Sequence, residues 1–218
     1  MLEKIEVLKN LRQEDLKFLE MKMKTEKYKK GEDIFYENSK ADWFHVLFEG
    51  RVKISKIHPD GKEVTLEIVD PPDFFGALAI LRNIPYPATS RAMENSLIGK
   101  IPASSFFSVA KKYPDMEKEI LNHVTMRLKA GMDALRSILL DDVTKRVIFQ
   151  LMRLAKRYGK KSDEGILVEL KLTREDIAEL AGTTVETAIR VMSRLKKEGF
   201  IEERERKILI KKMPNSEL

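Results

Sequence analysis

The sequence predicts an α+β protein in three parts: an N-terminal β-roll, a long dimerisation helix and a C-terminal winged helix-turn-helix. Three observations carry this. Between about Lys24 and Ile101, short alternating apolar runs are cut by glycine turns, the texture of a small sandwich or roll. From Pro114 to Leu140 apolar residues recur at helical spacing in a narrow seam. From Leu172 to Ile201 two helix-forming stretches, each with a start and a stop signal, flank Ala181-Gly182. The boundaries then fall at residues 1–112 for the roll, 113–141 for the long helix and hinge, and 142–218 for the helix-turn-helix domain.

Leu2 to Glu20 reads as one or two short helices, with Leu8, Leu11, Leu16 and Leu19 facing a core. Within the roll, Trp43 to Ser55 runs through Val46, Phe48, Val52 and Ile54 with a bend at Glu49-Gly50. Asp60-Gly61 is a hairpin signal. Strands continue from Ser90 to Ile101, and helix resumes near Pro102. In the long helix, Leu121, Val124, Leu128, Gly131, Leu135 and Ile138 alternate at spacings of three and four. That is a heptad seam for a second copy of the chain, on a rod of about 40 Å. Asp141-Asp142 marks a hinge, and Thr144 is placed to begin the next helix. Ile166 to Leu172 is β-like. After Gly199, residues 201–210 read as two strands around a charged turn, which makes the wing.

Thr173 is a good N-cap with Asp176 three residues on, and Thr183 and Thr184 can each cap the second helix. Ala188, Val191, Met192 and Leu195 form the buried stripe of that helix. Its other face carries Val185, Glu186, Thr187, Ile189, Arg190, Arg194 and Lys197. In a DNA major groove arginine bonds guanine O6 and N7, a carboxylate accepts from cytosine N4, and an apolar group meets the thymine methyl. Read as an ordinary helical hairpin, the same face is merely solvated. Charge favours the first reading. Residues 142–218 hold 18 basic against 13 acidic residues, whereas residues 1–141 hold 23 against 22. The basic excess thus lies with the helix-turn-helix, where phosphates would bind.

The chain has no cysteine, which excludes disulfides, thiolate metal sites and cysteine-held iron-sulfur clusters. The N-terminus is charged where a signal peptide is apolar, and no run reaches membrane-spanning length, so a cytoplasmic protein is expected. No Ser-His-Asp or Cys-His set, phosphate-binding glycine loop or metal-ligand spacing is present. The expectation is a regulator that is not an enzyme.

The order of these parts resembles the Crp/Fnr family of bacterial transcription regulators. The resemblance rests on Gly31-Glu32, Gly50-Arg51-Val52, Asp73-Phe74-Phe75-Gly76, Asp142-Val143-Thr144-Lys145-Arg146 and above all Thr184 to Arg190. It implies a cyclic-nucleotide-binding-type roll and a homodimer on a near-palindromic DNA operator, with RNA polymerase a further partner if the protein activates. It assigns base reading to Glu186, Ile189 and Arg190, with Thr173, Thr184, Val185, Thr187, Arg194 and Lys197 around them. The implied effector pocket is Phe75, Gly76, Ala77, Leu78, Tyr86, Pro87, Ala88, Thr89, Arg91, Leu128 and Gly131.

That pocket departs from the cyclic AMP pattern. Ala77 stands where such members have a ribose-binding glutamate, Tyr86-Pro87 replace the arginine-hydroxyl pair for the phosphate, and Gly131 replaces the hydroxyl residue facing adenine. Arg82 lies too early to help, while Arg91 would have to swing inward. A buried phosphate without its arginine costs several kcal/mol, so cyclic AMP is not the expected effector. Haem would need an axial ligand among His45, His58 and His123, each more often structural. The expected effector is an unidentified small molecule; the alternatives are a member with no effector, regulated by its expression level, and a haem-based gas sensor.

Overall fold

The computed structural model describes residues 1–205 and 207–211, apart from the side chain of Glu117. Its contacts divide into two compact units, Met1–Gly131 and Met132–Leu218. The first begins with two short 3-10 turns and α1 (Gln13–Lys22), followed by β1 (Lys24–Tyr28), β2 (Asp33–Phe35), β3 (Trp43–Glu49), β4 (Val52–Ile57), β5 (Glu63–Val69) and β6 (Asp73–Phe75). Then come α2 (Ala77–Arg82), β7 (Thr89–Ala92), β8 (Ser96–Pro102), α3 (Ala103–Ala110) and α4 (Pro114–Leu140), whose last turns belong to the second unit. The strands make two antiparallel four-stranded sheets, ordered β1-β8-β3-β6 and β2-β7-β4-β5.

Strand β3 explains how the roll is filled. Successive side chains of a strand point to opposite faces. Phe44 and Val46 join the helical layer with Leu8, Leu16, Leu19, Phe74 and Phe106. Leu47 faces the roll interior with Phe35, Val52, Phe75, Tyr86 and Ile98. The strand is therefore covered on both faces and reads as a continuous apolar run interrupted by His45, itself 1% exposed. The bend at Gly50 needs glycine for two reasons. Its φ is +82°, and an added β-carbon would stand 2.2 Å from Ser96 Oγ. The hairpin between β4 and β5 turns at Gly61, as its Asp-Gly signal predicts, with Gly61 N–H bonded to His58 O. The expected run from Ser90 to Ile101 is divided between two sheets, as β7 and β8.

The second unit continues through α5 (Val143–Tyr158), β9 (Gly159–Ser162), β10 (Gly165–Val168), α6 (Arg174–Ala181), α7 (Val185–Lys197), β11 (Ile201–Arg204) and β12 (Lys207–Ile210). Its sheet runs β11-β12-β10-β9. The wing strands are where the sequence puts them, while Arg206 of the charged turn lies outside the described residues. Strand β9 was not foreseen, because GKKS has no apolar alternation and all four residues are exposed. Asp142, not Thr144, caps α5, its carboxylate accepting from Lys145 N–H at 3.0 Å.

Candidate nucleic-acid interface and effector cradle

The helix-turn-helix is fixed at each joint by a side chain or a conformation that the sequence specifies. Thr173 and Asp176 form a reciprocal capping box on α6, with Asp176 N–H to Thr173 Oγ1 at 3.1 Å and Thr173 N–H to Asp176 Oδ2 at 2.7 Å. Gly182 ends α6 in the left-handed region at φ +59°. Thr184 alone caps α7, accepting from Thr187 N–H at 3.3 Å, so Thr183 is not a cap. Ala188, Val191, Met192 and Leu195 are buried. With these four inward, Val185, Glu186, Ile189, Arg190, Arg194 and Lys197 are left exposed, and Thr187 is half-buried.

These exposed groups differ in how free they are. Arg190 gives one bond, Nη2 to Thr187 Oγ1 at 3.1 Å, which leaves most of its donors outward. The Glu186 carboxyl is held below the usual range by its own backbone N–H, then by the Thr184 hydroxyl and the nearby Arg190, so it stays an acceptor at neutral pH. Arg194 instead turns back to the hydroxyl of Thr144 at the start of α5. Two cations of the wing are neutralised locally: Arg204 bonds Glu202 and Glu164, and Lys211 pairs with Glu202. Thr173 and Thr184 have their hydroxyls committed to caps.

In the first unit, several of the predicted effector residues are engaged with partners of their own. The ring of Tyr86 stacks on Phe35 with centroids 3.8 Å apart at 11°. His45 and Phe75 close the box at 5.2 and 5.9 Å from Phe35. Tyr86 Oη donates to Trp43 O at 3.0 Å, and burial pushes its hydroxyl up to about 12. A β-carbon on Gly76 would lie 3.1 Å from Tyr86 Cε1, so the Phe75-Gly76 turn is in contact with this ring. Arg91 does not swing inward. It is held by Asp33 at 2.7 Å and Glu63 at 3.1 Å, and Glu63 also takes Lys53 at 3.0 Å. Thr89 accepts from Glu37 N–H at 3.1 Å. Ala77 and Ala88 are buried, whereas Leu78 and Pro87 are exposed. Phe75, Gly76 and Tyr86 meet in one place.

His45 is one wall of that box, and among the described residues its Nδ1 has no hydrogen-bond partner. Burial, aided by the charge of Lys100, pushes it down to about 3. Its native ring is neutral, so the unfolded ring gains a proton first as pH falls below the ordinary 6.5. Stability is therefore complete above pH 6.5 and is lost towards pH 3, by about 1.4 kcal/mol per pH unit. Urea unfolding of the wild type should weaken by about 2 kcal/mol from pH 6.5 to 5. A His45→Phe variant should flatten that slope, and an unchanged slope would remove His45 as its cause.

Helix α4 presents two apolar faces. Val124 packs on the helical-layer core, while His123 Nε2 lies 3.2 Å from Asp73 Oδ1 and Arg127 Nη2 donates to Phe74 O at 2.9 Å. The other face exposes Leu121, Leu128, Met132, Leu135 and Leu139, all more than half exposed. Predicted seam positions Leu121, Leu128 and Leu135 lie on it. Val124 does not, nor does Ile138, which faces the turn at Gly182. Outside its own stretch of helix, no heavy atom of the described residues stands within 4 Å of a β-carbon added at Gly131.

Two family descriptions match this chain, a cyclic nucleotide-binding domain over residues 25–113 and a Crp-like helix-turn-helix domain over residues 145–215. The chain belongs to the Crp/Fnr family of transcription regulators. It is 28% identical over 183 residues to a CRP-like cAMP-activated global transcriptional regulator of Mycobacterium tuberculosis, covering 84% of this chain and 82% of that one. The fold is also that of the c-di-GMP-responsive global regulator CLP of Xanthomonas campestris, at a TM-score of 0.80 and 19% identity over 92% of this chain and all of that one. A CooA variant from Carboxydothermus hydrogenoformans aligns at a TM-score of 0.79 and 25% identity, covering 95% and 91%. Among the described residues of this Crp/Fnr chain no helix is long and apolar enough to cross a membrane. As a family member it is a DNA-binding transcription regulator. Sequence reasoning missed that Arg146 donates to the carbonyls of Ala181 and Gly182 at the helix-turn-helix turn, and that Thr144 accepts from Arg194. Both stand in the Asp142–Arg146 motif, but nothing in their spacing says where they reach.

Proposed function

We propose that the chain acts in the cytoplasm as a homodimeric, sequence-specific regulator without catalytic activity, and that its roll answers to a small molecule other than cyclic AMP. Residues 1–112 are the sensor, 113–141 the dimer helix and hinge, and 142–218 the DNA-binding domain. The observation that carries the reading is the face of α7: Glu186, Ile189 and Arg190 exposed together on a helix whose other side is buried. By resemblance the core of each half-site is a T-G-A-type triplet. A two-fold dimer calls for a near-palindromic operator with half-sites about 34 Å apart. RNA polymerase is the further partner if transcription rises. Salt-dependent binding to selected DNA, with a specific site far above random DNA, tests the reading; equal binding of all duplexes would sink it.

The Tyr86–Phe35 stack supports a second reading, a member that needs no effector because its own aromatic rings fill the cradle. Either reading disfavours cyclic AMP. Phosphate needs a cation, and Arg91 is already shared by Asp33 and Glu63. Calorimetry with millimolar cyclic AMP should show no saturable heat, whereas micromolar binding would defeat both. Mass spectrometry of natively purified protein separates the two, since a co-purifying small molecule favours the first and its absence the second.

A further inference from the structure

The α6–α7 turn is fastened to the last residues of α4 by two side chains to which the family match assigns no role. Arg146, on the second turn of α5, donates Nε–H to Ala181 O at 3.0 Å and Nη2–H to Gly182 O at 3.3 Å. The same guanidinium reaches back with Nη1–H to Asp141 O at 3.4 Å, just after α4 ends. A cation at the C-terminus of α6 also suits the partial negative charge of its last carbonyls. On the apolar side, Ile138 Cδ1 and Cγ1 would lie 3.7 and 3.8 Å from a β-carbon on Gly182, so the end of α4 covers the turn. A planar guanidinium is suited to this because its donors are fixed in one fork. Beside it, Arg194 of α7 bonds Thr144 of α5, a second tie between the recognition helix and the hinge.

All of these residues, and the exposed Met132, Leu135 and Leu139, lie in one unit. We propose that Arg146 and Ile138 are positioning residues that hold the recognition helix to the end of α4, and that they thereby set the half-site spacing the dimer accepts. The inference rests on the dimer reading above. If the recognition helix takes its place from α4, and α4 meets its partner through the neighbouring stripe, two recognition helices stand at one separation. Loosening the tie leaves each helix able to read its half-site but no longer fixes that separation.

The test compares wild type, Arg146→Lys and Ile138→Ala on a single half-site and on paired half-sites moved apart one base pair at a time. Arg146→Lys keeps the cation and loses the fork; Ile138→Ala keeps every polar contact and loses the cover. Wild type should sediment as a dimer and show one sharp spacing optimum. Both variants should keep the wild-type base preference and single-half-site affinity, lose about tenfold at the optimum, and lose less at neighbouring spacings. Spacing discrimination unchanged in both variants would overturn the proposal. So would an equal loss at every spacing and on the single half-site, which is what mere local destabilisation gives. A monomeric wild type with no optimum would overturn the dimer reading, and the proposal with it.

Discussion

Replacing Arg190 with alanine should cost about 1–3 kcal/mol per half-site and flatten the preference at one G·C pair. The side chain spends a single donor on Thr187 Oγ1 and is otherwise exposed, so its fork is available to guanine O6 and N7. Glu186 stands one turn earlier on the same face, kept ionised by its own amide, Thr184 and Arg190. An ionised carboxylate repels phosphate and can accept from cytosine N4, as the proposed base-reading role requires. Lys197→Ala, about two turns beyond Arg190, should weaken all sequences alike and reduce the salt slope by about one. Binding-site selection at fixed salt separates the two roles. An Arg190→Ala protein with weakened affinity and an unchanged motif would make Arg190 a phosphate contact.

The exposed face of α7 was legible because helical spacing and caps are local. Thr173, Gly182 and Thr184 each act on a residue within a few positions, so reading the sequence recovers both helices and the face of α7 that they expose. The same holds for the Gly50 bend and the Gly61 hairpin. What was not legible depends on groups far apart in the chain. Tyr86 reads as a pocket-lining residue, but nothing near it in sequence says that its ring stacks on Phe35 or that its hydroxyl donates to the Trp43 carbonyl. Arg91 looks available until Asp33 and Glu63 are placed beside it. Arg146 and Ile138 support the recognition helix across more than thirty residues. Strand β9 is set by pairing with β10, not by any preference of GKKS for a strand.

The long helix shows the same limit, since one heptad pattern can be laid along two neighbouring faces. Spacing admits Leu121, Val124, Leu128, Gly131, Leu135 and Ile138, but packing withdraws Val124 to the core and Ile138 to the Gly182 turn. The stripe left in solvent is Leu121, Leu128, Met132, Leu135 and Leu139, from 55% to 72% exposed. Burying a leucine or methionine of this kind against a second copy is worth about 1–2 kcal/mol per side chain, enough from ten such residues to hold a dimer. Leu128→Lys combined with Leu135→Lys would instead set four like charges across the two-fold axis. That double variant should sediment at half the wild-type mass. Since neither side chain is in a folded core, it should still unfold cooperatively, at a lower temperature because the dimer contact is lost. Its affinity for a paired operator should fall to that of a single half-site. Ile138→Ala, by contrast, should stay a dimer, because Ile138 faces its own chain. A Leu128→Lys, Leu135→Lys protein that keeps the wild-type mass would show that the exposed stripe is not where two copies meet, and the operator symmetry argued from it would lose its basis.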